Sequence, residues 1–215
     1  MNSAVVPTTR GEISSWKTRH LAMNERAKQG NVDLAFIGDS ITEGWEGAGK
    51  EIWEKFYGSR KTINLGIGGD RTEHVIWRLT HGNLNGIKPK VAVLMIGTNN
   101  TGHLMEAPDE AAAGVQSILE ILSEKLPQTT IVLHGLFPRS KSPHDAERLN
   151  NIAINDRIGR LADGERVIYQ DIGEVFLEAD GSIAAAVMPD SLHLSEDGYS
   201  RWASALEPTL VDLGL

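Results

Sequence analysis

The stretch VDLAFIGDS, residues 32–40, is an apolar run that ends in the small and polar residues GDS. Continuous apolar character, without alternation, is typical of a parallel strand that helices cover on both faces. Four further β-rich runs follow along the chain, and longer helical patterns separate them. The predicted strands are residues 32–38, 61–67, 90–97, 129–136 and 166–172. This alternation predicts βαβ units and an α/β fold with a parallel sheet.

The helical segments complete the predicted architecture. They lie at residues 12–28, 71–82, 108–126, 145–162 and 195–215. The natural assembly is an open three-layer α/β/α sandwich around a five-stranded parallel sheet. No repeat, low-complexity tract or long linker divides the chain. We therefore expect a single domain over residues 1–215, with its core at about 32–213 and an N-terminal helical extension at 12–28.

The composition argues against several classes of function. Acidic residues outnumber basic ones by 29 to 21, and the net charge of −8 would repel a nucleic-acid backbone. The lack of cysteine excludes disulfides, thiolate catalysis and cysteine–zinc sites. The N-terminus lacks a signal-peptide pattern, and the longest apolar run, VAVLMI at 91–96, is too short for a transmembrane segment. These features predict a soluble, cytoplasmic protein that does not bind nucleic acid.

Three of the predicted strands end in polar, glycine-rich segments. The first ends in GDS at 38–40, the second in GIGGD at 66–70 and the third in GTNN at 97–100. Ligands of open α/β sheets bind beyond the carboxyl ends of the strands, near the point where the strand order reverses. We therefore expect these three segments to form the functional site.

Ser40 has two interpretations. At a strand-to-helix junction its hydroxyl lies at the mouth of the expected site, where it could act as a nucleophile. The sharp nucleophile elbow Gly-x-Ser-x-Gly is not supported, because Thr42 stands in place of the second glycine. Alternatively, Asp39 or Ser40 simply caps the next helix. The motif alone leaves both interpretations open.

The segment NLGIGGDRT, residues 64–72, invites comparison with a dinucleotide-binding loop. Gly66 and Gly68 match the first two glycines of Gly-x-Gly-x-x-Gly, but Arg71 occupies the third position. We therefore predict no nucleotide cofactor. The segment could be a tight turn, or its glycines could let a backbone N–H approach a developing oxyanion.

Two other segments offer polar groups of the kind that catalysis uses. Asn99 is a residue type common in turns, but its amide could also point into the same hole as the Gly69 N–H. In MPDSLHLSEDGY, residues 188–199, Asp190 and His193 are three positions apart, a spacing that one helical turn places on a common face. The carboxylate could then hold the imidazole Nδ1–H and leave Nε2 to take a proton from a serine. The alternative is a proline–aspartate turn with a surface histidine.

The remaining candidates are residues that could surround a substrate. The candidate pocket residues are Trp45, Thr98, His103 and Leu192. Trp45 could line an acyl pocket or pack the helix after the first strand onto the sheet. His103 and Met105 could rim the pocket or belong to a solvated loop. The histidines form no metal-binding motif, so we predict no catalytic metal.

The order of these segments along the chain resembles that of the SGNH hydrolases, the GDSL esterase/lipase superfamily. The matching segments are GDSIT at 38–42, NLGIGGD at 64–70, IGTNN at 96–100 and DSLH at 190–193. Within the superfamily, NLGIGGDRTEHVIWRL, IKPKVAVLMIGTNN and GLFPR resemble the catalytic subunits of intracellular platelet-activating factor acetylhydrolase and their bacterial relatives. Ile41 replaces the leucine of the GDSL name, and Asn100 stands where many members carry aspartate. Neither departure removes a catalytic group.

The resemblance implies a serine ester hydrolase with a flavodoxin-like α/β/α fold, built on a five-stranded parallel sheet, that uses no cofactor. It makes Ser40 the nucleophile, His193 the base and Asp190 the acid that orients the histidine. It also implies an oxyanion hole formed by the amides of Ser40 and Gly69 and the side chain of Asn99. The acetylhydrolase relatives form dimers, so a homodimer is compatible with the resemblance.

The substrate follows less directly from the sequence. The compact chain contains no obvious long lid or hydrophobic flap, which favours short acyl groups such as acetyl over long chains. The alcohol could be a sugar, which we favour slightly, or a lipid. Two other classes of function stay open, namely a catalytically silent binding module and a phosphate- or nucleotide-binding flavodoxin-like protein. The complete Ser–Gly–Asn–Asp–His set argues against the first, and Arg71 argues against the second.

Overall fold

The computed structural model describes residues 2–104 and 106–215. The strands are β1 Leu34–Gly38, β2 Thr62–Gly66, β3 Val91–Met95, β4 Thr130–His134 and β5 Val167–Gln170. The helices are α1 Ser14–Lys28, α2 Ser40–Glu43, α3 Lys50–Tyr57, α4 Thr72–Arg78, α5 Thr98–Leu104, α6 Pro108–Lys125, α7 Ala146–Ile158 and α8 Glu196–Asp212. None of the helices in these two ranges is long and apolar enough to cross a membrane.

The five strands form one parallel sheet in the order β2-β1-β3-β4-β5. This is the flavodoxin-like order, which reverses between β1 and β3. The predicted fold class, a three-layer α/β/α sandwich, is therefore confirmed. Gly38 at the end of β1 pairs with Gly66 on one side and Met95 on the other. The three polar segments that follow these strands consequently emerge at the same edge of the sheet.

Burial follows the apolar runs of the sequence. Every residue of β1 and β3 is buried, whereas the edge strand β5 is only half-buried along its length. On the helical side, α3 packs against α8, and α6 packs against both α4 and α7. Strands with continuous apolar character are thus the ones covered on both faces, as expected for a parallel sheet.

The predicted helix at 71–82 is wrong at its C-terminal end, where His81 and Gly82 leave helical geometry. Helix α4 ends at Arg78, and the chain continues through a wider turn at Leu79–Asn83. Gly82 in that turn has a φ of +118°, and a Cβ there would lie 2.5 Å from the side chain of Asn24. Glycine tolerates that backbone angle and so close a neighbour, and helical geometry is lost at this position. Helix α7 similarly ends at Ile158, before a short 3₁₀ turn.

Helix α8 docks tightly onto the segment that follows β1. The hydroxyl of Tyr199 donates a hydrogen bond to the carbonyl of Ile41 in α2 at 2.7 Å. A Cβ on Gly44 would lie 2.0 Å from the same hydroxyl, so the approach requires a glycine there. Trp202, one helical turn later, stacks into an aromatic cluster with Trp45 at a ring separation of 4.9 Å. This packing holds the N-terminal end of α8, and the turn before it, beside α2.

Candidate active site

Ser40 lies at the N-terminus of α2, directly beyond the carboxyl end of β1. The cap of this helix is Asp39, whose Oδ1 accepts the N–H of Ile41 at 3.0 Å. Ser40 Oγ is instead 3.0 Å from Nε2 of His193. The two interpretations left open by the sequence are thus divided between neighbouring residues, with Asp39 as the cap and Ser40 as the hydroxyl that meets a base.

Asp190 and His193 meet in a tight turn. Asp190 Oδ2 is 2.7 Å from His193 Nδ1, and Oδ1 accepts the backbone N–H groups of Leu192 at 3.0 Å and His193 at 2.7 Å. Ser191 between them has a φ of +60°, so the expected helical turn is wrong. The pairing nevertheless holds, because the carboxylate of Asp190 bonds the turn and the imidazole at the same time.

The electrostatics of this pair favour an oriented imidazole. Burial works to raise the pKa of Asp190, but hydrogen bonds from the His193 ring and from the turn's backbone outweigh it and lower that pKa below its usual value. Asp190 therefore stays ionised and accepts the Nδ1–H of the ring. The side chains of Asp190 and His193 are 57% and 47% exposed, so the pair lies at the surface. Nε2 is then left to exchange a proton with Ser40 Oγ.

The loop after β2 lies beside Ser40, because a Cβ on Gly68 would lie 3.8 Å from Ser40 Cβ. Gly69 has a φ of +73°, and a Cβ there would lie 3.0 Å from the Arg10 guanidinium. The neighbouring N–H of Gly68 donates to Glu43 Oε2 at 2.5 Å. Within residues 2–104 and 106–215, by contrast, no protein acceptor bonds the N–H of Gly69 or of Ser40. Both amides therefore retain a donor for another oxygen.

Asn99 lies in the first turn of α5 and is buried. Its Nδ2 donates to the carbonyl of Asp70 at 2.9 Å, and Asp39 Oδ2 lies 3.4 Å from the same nitrogen. These contacts place the amide between the residue before Ser40 and the residue after Gly69. The Asn99 amide thus lies between the Ser40 turn and the Gly69–Asp70 loop, and a neutral N–H donor in such a position can stabilise negative charge on an oxygen.

Asp39 is a carboxyl group enclosed by this arrangement. It is 1% exposed, and burial raises its pKa to about 7. The backbone bond from Ile41 and the charge of His193 oppose the rise, while the charge of Asp70 adds to it. The carboxyl consequently holds its proton to a much higher pH than an exposed aspartate does. Neither the N-cap pattern nor its neighbours in the sequence indicated this property.

The shifted pKa of Asp39 predicts a specific pH dependence of stability. Because the folded-state pKa is raised, the stability that protonation provides is complete below about pH 4 and is lost as the pH rises towards 7. Asp39→Asn keeps the cap acceptor but does not titrate. We expect the variant to gain stability relative to wild type from pH 4 to 7, by a few kcal/mol at about 1.4 kcal/mol per pKa unit.

Urea unfolding at several pH values measures this difference. Asp212→Asn, at an exposed carboxylate at the end of α8, is the matched control for loss of one negative charge. A stability difference between Asp39→Asn and wild type that stays constant from pH 4 to 7 would contradict the prediction.

Two of the candidate pocket residues are buried instead. Trp45 has no exposed surface and packs against Tyr199 and Trp202 at ring separations of 4.5 and 4.9 Å, so its role is core packing and not an acyl pocket. Thr98 is 3% exposed, and its hydroxyl bonds the side chains of Asn151 and Arg139. Both side chains are directed into protein because the helices α5, α7 and α8 close over them.

The other rim candidates lie at the surface. His103 is exposed near the end of α5, and burial together with the charges of Arg71, Arg139 and Arg10 lowers its pKa. Leu192 is half-buried in the Asp190–His193 turn. Met105 lies outside the described residues.

No sequence pattern indicated the two charged residues that lie beside the Gly69 loop. The Arg10 guanidinium donates to the carbonyl of Gly68 at 2.9 Å, and Glu43 accepts the N–H of the same residue. Both contacts join segments distant in the chain, so no local motif could have revealed them.

Known proteins resemble this chain in sequence. Residues 36–201 match the model of the GDSL-like lipase/acylhydrolase family. The human platelet-activating factor acetylhydrolase IB subunit alpha1 is 34% identical over 216 residues, which cover 99% of this chain and 91% of that protein.

Two solved structures share the fold. A GDSL-like lipase from Bacteroides thetaiotaomicron superposes with a TM-score of 0.72 at 18% identity, covering 91% of this chain and 97% of the other. Est24, a carbohydrate acetylesterase from Sinorhizobium meliloti, superposes with a TM-score of 0.66 at 17% identity, covering 85% and 99%. With three strand-end segments and the Asp190–His193 turn gathered around Ser40, and with the family model spanning most of the chain, the protein belongs to the GDSL-like lipase/acylhydrolase family and is a carboxylic ester hydrolase.

Proposed function

We propose that the protein hydrolyses short-chain acyl esters, acetyl esters first, through a Ser40–His193–Asp190 triad. The observation that carries the proposal is the continuous chain of contacts across these side chains. Ser40 Oγ lies 3.0 Å from one ring nitrogen of His193, and Asp190 lies 2.7 Å from the other. A hydroxyl, a base in hydrogen-bond reach and a third group that orients the base are the parts needed for nucleophilic acyl transfer.

In the acylation step, Ser40 Oγ attacks the ester carbonyl while His193 Nε2 takes its proton. Asp190 holds Nδ1–H and stabilises the imidazolium that forms. The carbonyl oxygen becomes an oxyanion that the Ser40 amide, the Gly69 amide and the Asn99 side chain would bind. The C–O bond to the alcohol then breaks, and His193 protonates the departing oxygen.

In the deacylation step, water takes the place of the alcohol. His193 Nε2 removes a proton from the water as its oxygen attacks the acyl carbon, and the same donors hold the second oxyanion. The bond to Ser40 Oγ breaks, and His193 returns the proton to the serine. Both half-reactions use one set of donors, so loss of a donor slows acylation and deacylation together.

Three arguments favour a small acyl group. No long lid segment appears in the sequence around the site, and the Asp190 and His193 side chains lie open to solvent. Trp45, the residue that could have lined an acyl pocket, is buried in the core. The human relative is named an acetylhydrolase and the Sinorhizobium meliloti neighbour an acetylesterase, so both names specify acetyl.

We propose two candidates for the alcohol portion of the ester. A sugar is the first, because the sequence showed no hydrophobic flap to receive a lipid and the name of the Sinorhizobium meliloti neighbour specifies a carbohydrate. A lipid is the second, because the human relative, at 34% identity, takes its name from platelet-activating factor.

The test is a series of p-nitrophenyl esters from acetyl to octanoyl, with Ser40→Ala as the blank. We expect kcat/KM to be highest for acetyl and to fall as the chain lengthens. Octanoyl as the best substrate would refute the proposed acyl preference while leaving the serine mechanism intact. Acetylated xylooligosaccharide and an acetylated ether phospholipid, compared under the same conditions, decide between the two alcohols.

A further inference from the structure

Arg78, the last residue of α4, places a positive charge completely inside the protein. All three of its guanidinium nitrogens are hydrogen-bonded. Nε donates to Asp70 Oδ2 at 2.7 Å, Nη2 to the carbonyl of Gly38 at 2.8 Å and Nη1 to Asn83 Oδ1 at 3.0 Å. A buried charge is costly unless it is paired and fully bonded. The guanidinium therefore holds its three partners in one defined arrangement.

Two of these partners adjoin the proposed oxyanion donors. Gly38 ends β1, two residues before Ser40. Asp70 follows Gly69 directly, and its carbonyl accepts the hydrogen bond from Asn99 Nδ2 at 2.9 Å. One rigid, planar group thus joins the strand end that leads to the nucleophile with the loop that carries the other donors.

We propose that Arg78 is a positioning residue, whose guanidinium sets the separation between the Ser40 turn and the Gly69–Asp70 loop. This inference rests on the proposed function, because it concerns the same oxyanion site. Oxyanion donors act at about 2.7–3.1 Å from the oxygen, and a displacement of about 1 Å can cost about 100-fold in rate. Lysine cannot reproduce the link, because one ammonium group lacks the planar fork of donors.

A purely structural role for the ion pair makes a different prediction. The hydrogen bond from Arg78 Nη1 distinguishes the positioning role from the purely structural one. It reaches Asn83 in the turn after α4 and not the segments of the proposed site. Asn83 Nδ2 in turn donates to Asn24 Oδ1 at 2.6 Å, in α1. Removing the Asn83 side chain therefore weakens the same buried network on the side away from the site.

The experiment compares Arg78→Lys and Asn83→Ala with wild type on p-nitrophenyl acetate, well below the melting temperature of each protein. We expect Arg78→Lys to lower kcat about 10- to 100-fold with KM within about 3-fold of wild type. Asn83→Ala is expected to lower the melting temperature while its kcat stays within about 2-fold of wild type. Because each assay is run well below the melting temperature, where the protein is folded, a lower kcat cannot come from a smaller folded fraction, and Asn83→Ala controls for the loss of stability.

Several outcomes would overturn the inference. Wild-type kcat in Arg78→Lys removes its basis, and an equal loss of kcat in Asn83→Ala shows that any damage to the network has the same effect. If Arg78→Lys does not fold, Trp16→Phe replaces it, because Trp16 Nε1 donates to the other oxygen of Asp70 at 2.7 Å. That variant is expected to lower kcat about 3- to 10-fold, and an unchanged kcat overturns the proposal.

Failure of the proposed function is recognised separately. It would appear as equal hydrolysis by wild type and Ser40→Ala, whatever the Arg78 variants do, and it would remove the inference as well. Ser40-dependent hydrolysis combined with wild-type kcat in Arg78→Lys refutes the positioning role alone.

Discussion

Ser40→Ala is expected to lower kcat for p-nitrophenyl acetate by about 10⁴-fold or more, with the fold unchanged. The side chain loses one oxygen atom, and that oxygen is the one 3.0 Å from His193 Nε2. Without it no acyl-enzyme can form, and only slow attack by water assisted by the oxyanion donors remains. Steady-state hydrolysis and circular dichroism of both proteins measure the effect.

The matched control is Ser123→Ala, on the exposed face of α6. It should keep both kcat and stability, since surface substitutions away from special contacts change stability little. His193→Ala should cost about as much as Ser40→Ala, and the double variant should be no slower than either single one, because the side chains act as a unit. Multiplying losses in the double variant, or wild-type activity in Ser40→Ala, would contradict a shared serine mechanism.

Asn99→Ala is expected to lower kcat by about 10²- to 10³-fold and to leave KM nearly unchanged. One N–H of the amide is held by the carbonyl of Asp70 at 2.9 Å, and the other, whose contact with Asp39 Oδ2 is long at 3.4 Å, is the donor that would turn to the oxyanion. The hydrogen bond from the Asn99 amide to the substrate oxygen strengthens as negative charge develops on that oxygen. Removal of the amide is therefore expected to lower kcat and not to weaken substrate binding. Initial rates over a range of ester concentrations separate the two parameters.

Asn155→Ala provides the control for loss of a half-buried asparagine. Its side chain bonds the backbone of Leu136 at 2.7 and 3.0 Å, away from the proposed donors, so the variant should lose stability and keep its kcat. A fall of less than about 3-fold in Asn99→Ala, set against the range expected for an oxyanion donor, would remove Asn99 from the proposed hole. The amides of Ser40 and Gly69 would then have to hold the oxyanion alone.

Much of the fold could be predicted from short-range patterns. The apolar runs at 32–38 and 90–97 became the fully buried strands β1 and β3, with ends moved by only a few residues. Those patterns are readable because a strand covered on both faces must be apolar at every position. The helix predicted at 71–82 failed where Gly82 faces Asn24, a residue 58 positions earlier in the chain. Periodicity contains no information about such a neighbour.

The candidate site was likewise predictable from the sequence only in part. The sequence by itself determined the chemical groups and the edge of the sheet at which three of them emerge, since parallel strands end together. It could not determine that Ser40 and His193, 153 positions apart, lie within hydrogen-bond distance. That meeting depends on α8 docking on α2 through Tyr199, with glycine at position 44 where a side chain would clash.

Only the tertiary structure decided which of the candidate side chains are accessible at the site and which are buried. It enclosed Trp45 and Thr98, raised the pKa of Asp39 by burial, and placed the Arg78 guanidinium between the Ser40 turn and the Asp70 loop. Each of these results depends on desolvation and on contacts between distant segments. Such effects arise only when the chain has packed, because burial is a property of the surroundings of a residue and not of its type.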